Sequence, residues 1–383
     1  HKRISEEIAH NSINNTGNRT LLLYKIQTKT IMRILHVITS LRTGGAEKLL
    51  VEMLPRLKNY GHEVDLLLFD GINTPLYSEL KSRGIKINYL SLKGNVYNPY
   101  NIIRLRKYLR GYDIIHTHNT ACQYYVPIAL GSINKTILIT TEHNTHNRRR
   151  SIWGFKILDK LMYNRYNHII SISQKATDNL SDYIGHSYKI TTINNGIDLS
   201  KFSSELSAPN KDGEIIVTMV AAFRPQKDHQ TLIKAISLLP DNYKLWLVGD
   251  GIMRPKIEYT ISDLHISDKV KLWGNRDDIH SLIVLSTHWE GLSLASIEAM
   301  ASGRPFIGSD VDGLHDVIAD AGILFPPGNA EILASEIKSL IENPEKYNLT
   351  VRKCQTRAQE YNIDKTVEKY NKLYIEVQRS LHK

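Results

Sequence analysis

The sequence predicts an α/β protein with two Rossmann-like, doubly wound parallel-sheet domains that face each other across a cleft. A chain of 383 residues is too long for one hydrophobic core and fits two domains of ordinary size. Short apolar runs alternate with helical stretches along most of its length, which is typical of βαβ units. A polar break at residues 203–213, rich in Ser, Pro, Asn, Asp and Gly, divides this alternation in two.

The first domain is expected over residues 32–202. Residues 1–31 are polar and lack a periodic apolar face, so we expect them to lie outside the core. In the domain itself, each apolar strand candidate is followed by a stretch with helical spacing. The expected strands are residues 33–38, 63–69, 86–90, 113–116, 136–140, 168–172 and 190–193. The expected helices lie near residues 46–59, 75–83, 99–110, 121–131, 151–166 and 175–183.

The second domain is expected over residues 214–362, after the linker. Its expected strands are residues 215–222, 244–249, 269–273, 283–286, 305–308 and 322–324. Residues 329–381 are predicted to be helical because apolar positions such as Tyr370 and Tyr374 recur at helix spacing. We expect residues 363–383 to pack back toward the first domain. Two such domains place a ligand between them, at the carboxyl ends of the strands.

The charge of the chain is concentrated in its first half. The formal net charge is +10, yet residues 1–210 hold 28 Lys and Arg against 15 Asp and Glu, and the remainder is slightly acidic. This asymmetry predicts an anionic partner such as a membrane leaflet, a phosphorylated lipid or nucleic acid. Residues 146–167 interleave cations with apolar side chains, which fits a helix at an anionic membrane surface. An ordinary domain helix with a basic outer side fits the stretch equally well.

The location of the protein is predicted from its cysteines and its apolar runs. Cys122 and Cys354 lie in different expected domains, which indicates reduced thiols and a cytoplasmic protein. No stretch has the 18 or so apolar residues of a membrane-spanning helix. We therefore expect a cytoplasmic protein with peripheral contact to the inner face of the membrane.

Two carboxylates eight positions apart, Glu290 and Glu298, bracket a predicted strand-to-helix turn. Such a turn offers free backbone N–H groups and the positive end of a helix dipole, which suit an anionic ligand. Carboxylates repel a bare phosphate but accept hydrogen bonds from sugar hydroxyls beside it. The pair therefore predicts a nucleotide-sugar site.

Other turns at expected strand ends could serve the same ligand. Gly44 and Gly45 let the backbone approach a ligand closely, although a tight structural turn explains them equally well. Arg224 and Lys227 could neutralise a diphosphate without a metal, and a solvated strand end is the alternative. Gly249 lies in a turn that could approach the base or ribose.

Histidines gather near the expected strand ends of the first domain, at His116, His118, His143 and His146. His116 and His118 are two positions apart on a strand and therefore share a face. A zinc site would need a Cys or carboxylate set that is not found at the usual spacing, so we expect no metal. We favour a single His near the donor sugar, where imidazole can hydrogen-bond a hydroxyl or carry a proton.

Together these motifs resemble retaining GT-B glycosyltransferases of family 4, the group that builds bacterial capsules, O-antigens and glycolipids. The resemblance extends from Met32 to the C-terminal helix. Its most specific part is the glutamate pair followed by Ala299-Met300-Ala301-x-Gly303-x-Pro305. A second matching segment is Asn195-Gly196-Ile197-Asp198.

The resemblance implies a role for each candidate site residue. Glu298 would hold the nucleotide ribose, and Glu290 would contact hydroxyls of the donor sugar. Arg224 and Lys227 would stabilise the charge on the leaving phosphate. His118 matches the family's Asp-x-x-His-x-His strand end and would be a second catalytic residue near the sugar and acceptor. The remaining donor-binding residues would be Gly44, Gly45, Gly249, Leu292, Ser293, Leu294 and Ala295.

The implied activity is that of a hexosyl- or N-acetylhexosaminyl-transferase that needs no metal or other cofactor. The donor would be a nucleotide diphosphate-sugar, with UDP favoured over GDP, and the acceptor a hydroxyl of a lipid-linked glycan. Anomeric configuration would be retained by front-face attack, in which the departing phosphate takes the acceptor's proton.

The chain departs from the family pattern at two places. Many members have an arginine where this chain has Ala222, and we expect Arg224, two positions along the same strand, to reach the same phosphate. Residues 276–283 enter the next strand about half a dozen positions early, which could alter the base pocket. Two other functions stay open: a 2-epimerase of nucleotide sugars with the same fold, and a basic, non-catalytic nucleic-acid-binding module. The latter lacks a recognisable nucleic-acid-binding motif, so we expect no specific nucleic-acid partner.

Overall fold

The computed structural model describes residues 31–42, 44–131, 136–143, 150, 152, 154–186, 188–202, 213–274, 282–290 and 293–381. Each half of the chain forms its own sheet with helices on both faces. This is the pair of parallel-sheet α/β domains that the alternating pattern predicts.

The first domain is built on a seven-stranded sheet in the order β3-β2-β1-β4-β5-β6-β7, and every neighbouring pair is parallel. The order reverses between β1 and β4, so their loops diverge and leave a crevice at the carboxyl ends of these strands. The strands are β1 (Arg33–Ile38), β2 (Glu63–Asp70), β3 (Lys86–Ser91), β4 (Ile114–His118), β5 (Ile137–Glu142), β6 (His168–Ser171) and β7 (Ile190–Thr192).

In the described part of this domain, six helices cover the two faces of the sheet. They are α1 (Gly45–Asn59), α2 (Pro75–Ser82), α3 (Asn101–Leu105), α4 (Thr120–Leu130), α5 (Phe155–Tyr163) and α6 (Gln174–Ile184). Side chains alternate along each strand, so Ile34 and Ile38 of β1 join the core under α1, whereas Leu35 and Val37 join the core under α4–α6. The same alternation determines the face of the sheet on which each histidine side chain of β1 and β4 lies.

The second domain is built on a six-stranded parallel sheet in the order β10-β9-β8-β11-β12-β13. Its order reverses between β8 and β11, which places a second crevice there. The strands are β8 (Ile215–Val220), β9 (Tyr243–Val248), β10 (Val270–Gly274), β11 (Leu282–Leu285), β12 (Phe306–Ser309) and β13 (Ile323–Phe325). The helices are α7 (His229–Ser237), α8 (Arg254–Asp263), α9 (Leu294–Ala301), α10 (Asp312–Ile318), α11 (Ala330–Glu342) and α12 (Pro344–Ala358).

The chain crosses back to the first domain after α12. The N–H of Ile197 donates to the carbonyl of Tyr361 at 2.8 Å, and the N–H of Ile363 donates to the carbonyl of Ile197 at 2.9 Å. A Cβ on Gly196 would lie 2.7 Å from the Cα of Ile363, so only glycine allows this approach. The last helix, α13 (Ile363–Leu381), then packs along α1 and buries Tyr370 and Tyr374 in the core of the first domain.

Candidate active site

The reversal points of the two sheets bring most of the predicted site residues to one cleft. Gly44 and Gly45 follow β1, and His118 ends β4. On the opposite side, Lys227 follows β8 and Glu290 follows β11. Loops at such reversal points are where ligands bind in open α/β sheets. Leu292, one of the predicted donor-binding residues, lies outside the described residues, as do His146 and residues 275–281.

The centre of the cleft is an ion pair between Lys227 and Glu290. Their side chains are only 16% and 10% exposed. The loops that carry them are joined by the Gln226 side chain, whose Nε2 donates to the Trp289 carbonyl at 2.7 Å, and by Thr287, whose Oγ1 donates to the Gln226 carbonyl at 3.0 Å. Burial lowers the pKa of Lys227 from 10.5 to about 8. The residues predicted to bind the diphosphate and the sugar therefore hold each other.

The second glutamate lies on α9, as the spacing predicts. Ser293 caps this helix by accepting a hydrogen bond from the N–H of Ser296 at 3.3 Å. No acidic residue occupies the first turn, so the positive end of the helix is not neutralised by its own side chains. Glu298 lies one turn further on, partly exposed, with the Lys48 Nζ of the first domain 3.8 Å from its carboxylate. The sequence offered no reason to select Lys48.

Arg224 does not lie on a strand, so the prediction that it follows Ala222 along the same strand was wrong. β8 ends at Val220, two residues before the predicted end, and Ala222 and Arg224 belong to the following loop. The strand stops because the chain turns sharply, with the N–H of Arg224 donating to the carbonyl of Ala222 at 2.8 Å. The two positions therefore do not share a strand face. Arg224 is exposed near Lys227 on a short loop.

Gly249 has a structural reason to be glycine. Its φ is +145°, and a Cβ would collide with the backbone carbonyl of Ala221. Its N–H donates to the Gly274 carbonyl at 2.7 Å. The turn thus holds together the loops after β8, β9 and β10, which border the predicted base pocket.

Across the cleft, Gly45 begins α1 directly opposite Leu294, the first residue of α9. A Cβ on Gly45 would lie 3.7 Å from the Leu294 Cδ1. Gly44 is extended, with φ −171°, and precedes the helix. The amino ends of two helices from different domains therefore point into the same space, which suits an anion held between them.

His118 is fully buried in a group of hydrogen-bonded histidines. Its Nε2 lies 3.0 Å from the Nδ1 of His36, and its Nδ1 lies 2.9 Å from the Nε2 of His143. His116 stacks on it with ring centroids 4.4 Å apart. The Nδ1 of His116 in turn meets the Tyr374 hydroxyl of α13 at 2.6 Å. The group therefore joins the end of β4 to the C-terminal helix.

Burial keeps these imidazoles neutral. It lowers the pKa of His36 to about 3 and that of His143 to about 4. The pKa values of His116 and His118 also lie well below their usual value, because burial is reinforced by the neighbouring rings. A neutral imidazole can orient a hydroxyl through a hydrogen bond. The alternative in which His118 carries a proton as imidazolium is disfavoured.

The ring nitrogens of His36, His116 and His118 lie within 4.8 Å of one another, which raises the question of a metal ion. His36 was missed in the sequence because it is far from the other two. The rings of His116 and His118 are stacked with centroids 4.4 Å apart, and the Nε2 of His118 lies at hydrogen-bond distance, 3.0 Å, from the Nδ1 of His36. Both nitrogens of His116 already have hydroxyl partners, Tyr374 and Thr141. The geometry fits a hydrogen-bonded cluster better than a metal centre.

A cavity of about 310 Å³ opens between the domains beside Glu290. One wall is formed by the amino end of α6 and the end of β7, and the other by α10. An ion pair between Lys175 of α6 and Asp312 of α10 spans the cavity. Apart from Glu290, no residue that lines the cavity was selected from the sequence, because their motifs are ordinary caps and turns. The cavity is also lined by Ser173, Gln174, Thr192, Asn194 and Asp316.

The first domain also presents an apolar, basic face. Ile157, Leu158 and Leu161 of α5 are 66%, 51% and 60% exposed. Lys160 lies on the same helix, and a groove of about 390 Å³ between α4 and α5 is bordered by Arg165. Within the described part of the chain, no helix has the length and apolar character to span a membrane. Arg148, Arg149 and Trp153, which the predicted membrane helix included, are not among the described residues.

Comparisons with known families divide the chain where the fold does. The family described as Glycosyltransferase Family 4 matches residues 43–201, and the family described as Glycosyl transferases group 1 matches residues 203–359. Together the two matches cover most of both domains.

Individual relatives match the chain over nearly its whole length. An N-acetyl-alpha-D-glucosaminyl L-malate synthase of Bacillus anthracis is 25% identical over 366 residues, which are 88% of this chain and 95% of the relative. A UDP-Gal:alpha-D-GlcNAc-diphosphoundecaprenol alpha-1,3-galactosyltransferase of Escherichia coli is 23% identical and covers 91% of this chain and 98% of its own length. Among solved structures, Anabaena Alr3699/HepE in complex with UDP superposes with a TM-score of 0.77 at 19% identity, over 90% of this chain and 100% of that one.

Proposed function

The chain belongs to the GT-B glycosyltransferases, with a family 4 domain followed by a group 1 domain, and from this premise we propose the reaction that it catalyses. It transfers a hexosyl or N-acetylhexosaminyl unit from a UDP-sugar to a hydroxyl of a lipid-linked glycan, with retention of anomeric configuration. The single observation that carries this proposal is the buried Lys227–Glu290 pair beside the amino end of α9.

In the proposed donor complex, the diphosphate lies at the amino ends of α9 and α1. Backbone N–H groups around Ser293 to Ala295 face it from one domain, and Gly44 and Gly45 from the other. Lys227 turns from Glu290 to the phosphate, and Arg224 supplies a second cation from the same loop. Separation of the ion pair leaves the Glu290 carboxylate free to accept hydrogen bonds from the sugar.

Glu298 is proposed to bind the ribose. Glu298 lines a small space together with Val220, Ile283 and Ala299, between the sheet of the second domain and α9. Each hydrogen bond from a ribose hydroxyl to a carboxylate contributes more binding free energy than a hydrogen bond to a neutral acceptor would. Lys48 would release Glu298 when the ribose arrives, since their contact of 3.8 Å is a loose one.

The transfer itself follows from this placement. The acceptor hydroxyl attacks the anomeric carbon from the face that the phosphate leaves, the bond from that carbon to the phosphate oxygen breaks, and the acceptor's proton passes to the departing phosphate. Glu290 stabilises the positive charge that develops on the sugar. His118 contributes as a neutral group that fixes the position of His143 at the end of β5.

A lipid-linked acceptor is supported by the names of relatives and by the surface of the first domain. The Escherichia coli relative is named for a diphosphoundecaprenol-linked acceptor. The exposed apolar side chains of α5 and the nearby cations suit peripheral contact with an anionic membrane. We found no support for the epimerase or for the nucleic-acid-binding module among the relatives reported above, which are named as transferases or synthases.

The experiment that tests the function is a thermal-shift panel of nucleotides and nucleotide sugars. A ligand that binds the native state raises the unfolding temperature by mass action, so the strongest shift identifies the donor class. We expect UDP and UDP-sugars to give larger shifts than GDP and GDP-sugars. The best donor is then incubated with a lipid-diphosphate glycan, and the anomeric configuration of the product is read by NMR. If no nucleotide shifts the transition, the proposal is wrong.

A further inference from the structure

The cavity beside Glu290 has two chemically different walls. The wall from the first domain carries hydroxyl and amide groups, namely Ser173, Gln174, Thr192 and Asn194. The wall from the second domain carries the carboxylates of Asp312 and Asp316. Glu290, the residue proposed to face the donor sugar, also lines the cavity. A molecule in this cavity would thus lie next to the reacting centre.

Asn194 is the group on this wall that is best suited to a ligand. The side-chain amide makes no hydrogen bond to another residue in the described ranges of the chain, and Asn194 is held through its backbone, because its carbonyl accepts from the Thr366 hydroxyl at 3.0 Å. An amide offers both a donor and an acceptor, which matches two neighbouring hydroxyls of a sugar ring.

Gln174 lines the same cavity. Its Nε2 donates to Asp178 at 2.9 Å, and its Oε1 accepts from the Thr192 hydroxyl at 3.3 Å. The side chain is exposed at the cavity edge, so a ligand hydroxyl can replace the longer of these two bonds. The first-domain wall is therefore a fixed arrangement of neutral donors and acceptors.

The charges of the cavity disfavour an anionic occupant. Lys175 is its one lining cation among the described residues, and Asp312 already holds it. The other nearby ammonium, on Lys227, is held by Glu290 and is assigned to the donor. Asp316 adds a further carboxylate to the lining. A carboxylate or phosphate placed here would meet like charges without a free cation to bind it.

We propose that this cavity binds the terminal unit of the acceptor as an uncharged sugar ring, recognised through its hydroxyls by Asn194 and Gln174. This inference rests on the proposed transferase function and adds the acceptor class. A volume of about 310 Å³ accommodates one such ring with room for water. A charged part of the acceptor, such as a lipid diphosphate, would lie outside the cavity. A small hydroxy acid would be a poor acceptor.

The test compares two acceptors with the best donor from the nucleotide panel. One is a set of neutral octyl glycosides that includes octyl N-acetylglucosaminide, and the other is L-malate. We expect transfer to at least one neutral glycoside, and we expect kcat/KM with malate to be about tenfold lower than with that glycoside, or lower still. Preference for malate, with donor binding intact, would overturn the acceptor class while leaving the transferase function in place. Failure of all nucleotide binding would overturn both.

Variants locate the site. Asn194→Ala and Gln174→Ala should each raise the acceptor KM about tenfold while the donor KM and the unfolding temperature stay unchanged. The matched control is Asp182→Ala, a change at an exposed position on the same helix but outside the cavity, which should leave both KM values unchanged. If both cavity variants keep the parent acceptor KM, the acceptor does not bind here.

Discussion

The buried pair at the centre of the cleft leads to a quantitative prediction for Lys227→Met. Methionine keeps most of the side-chain volume but leaves the Glu290 carboxylate, which is 10% exposed, without its counter-ion. Removal of one partner from a buried pair typically costs about 3–5 kcal/mol. Since both side chains retain slight solvent contact, we expect the lower end, about 3 kcal/mol of unfolding free energy for the second domain.

The assay is urea and thermal unfolding at pH 7 for four proteins: the parent chain, Lys227→Met, Glu290→Gln and the double variant. A loss of about 3 kcal/mol corresponds to roughly 6–12 °C in unfolding temperature for a domain of this size. The double variant lacks both charges, so it should be more stable than Lys227→Met, with a coupling free energy of about 2 kcal/mol in the cycle. Additive effects, or a loss below about 1 kcal/mol for Lys227→Met, would refute the reasoning that this pair is buried and mutually dependent.

Two further predictions concern the donor and the domain contact. Burial sets the pKa of Lys227 to about 8, so the ammonium that binds diphosphate is lost as the pH rises through that value, and kcat/KM for the donor should fall above pH 8. The guanidinium of Lys227→Arg stays protonated, so this variant should not show the decline. If the pH profile of Lys227→Arg equals that of the parent chain, the assignment is contradicted. Gly45→Val places a branched side chain against Leu294, where a Cβ alone would lie 3.7 Å from the Leu294 Cδ1. We expect kcat/KM to fall at least about tenfold while the unfolding temperature stays unchanged, and the smaller change Gly45→Ala serves as the control. Parental activity in the valine variant would show that the two helix ends do not close on the donor.

Much of the fold could be predicted from the sequence because short apolar runs and stretches with helical spacing alternate along the chain. Both parallel sheets and the strand β11 that leads to α9 were predicted from apolar runs and glycines. The end of β8 was predicted two residues too late, since Ala221 and Ala222 are as compatible with a strand as with a turn. A local turn, set by backbone hydrogen bonds, decided the boundary.

The site was less predictable because it depends on contacts between distant segments. Glu290 and Lys227 were each selected, but nothing in the sequence indicated that they bind each other. His36 joins His118 because odd and even positions of β1 and β4 face opposite cores, which requires the sheet order to be known. Lys48 and Asn194 reach the cleft only once the domains are placed together.

The central claim is that Glu298 binds the nucleotide and Glu290 the sugar. Isothermal titration of UDP and of the best UDP-sugar tests it most directly, on the parent chain, Glu298→Ala and Glu290→Gln. Loss of a hydrogen-bonded carboxylate should weaken binding about tenfold or more, for both ligands in Glu298→Ala. In Glu290→Gln, UDP should bind at least as tightly as in the parent, because Lys227 no longer has to leave a charged partner, and the additional affinity of the UDP-sugar should disappear. If Glu290→Gln weakens UDP itself as strongly as Glu298→Ala does, or if Glu298→Ala leaves UDP binding intact, this division between the two glutamates is contradicted.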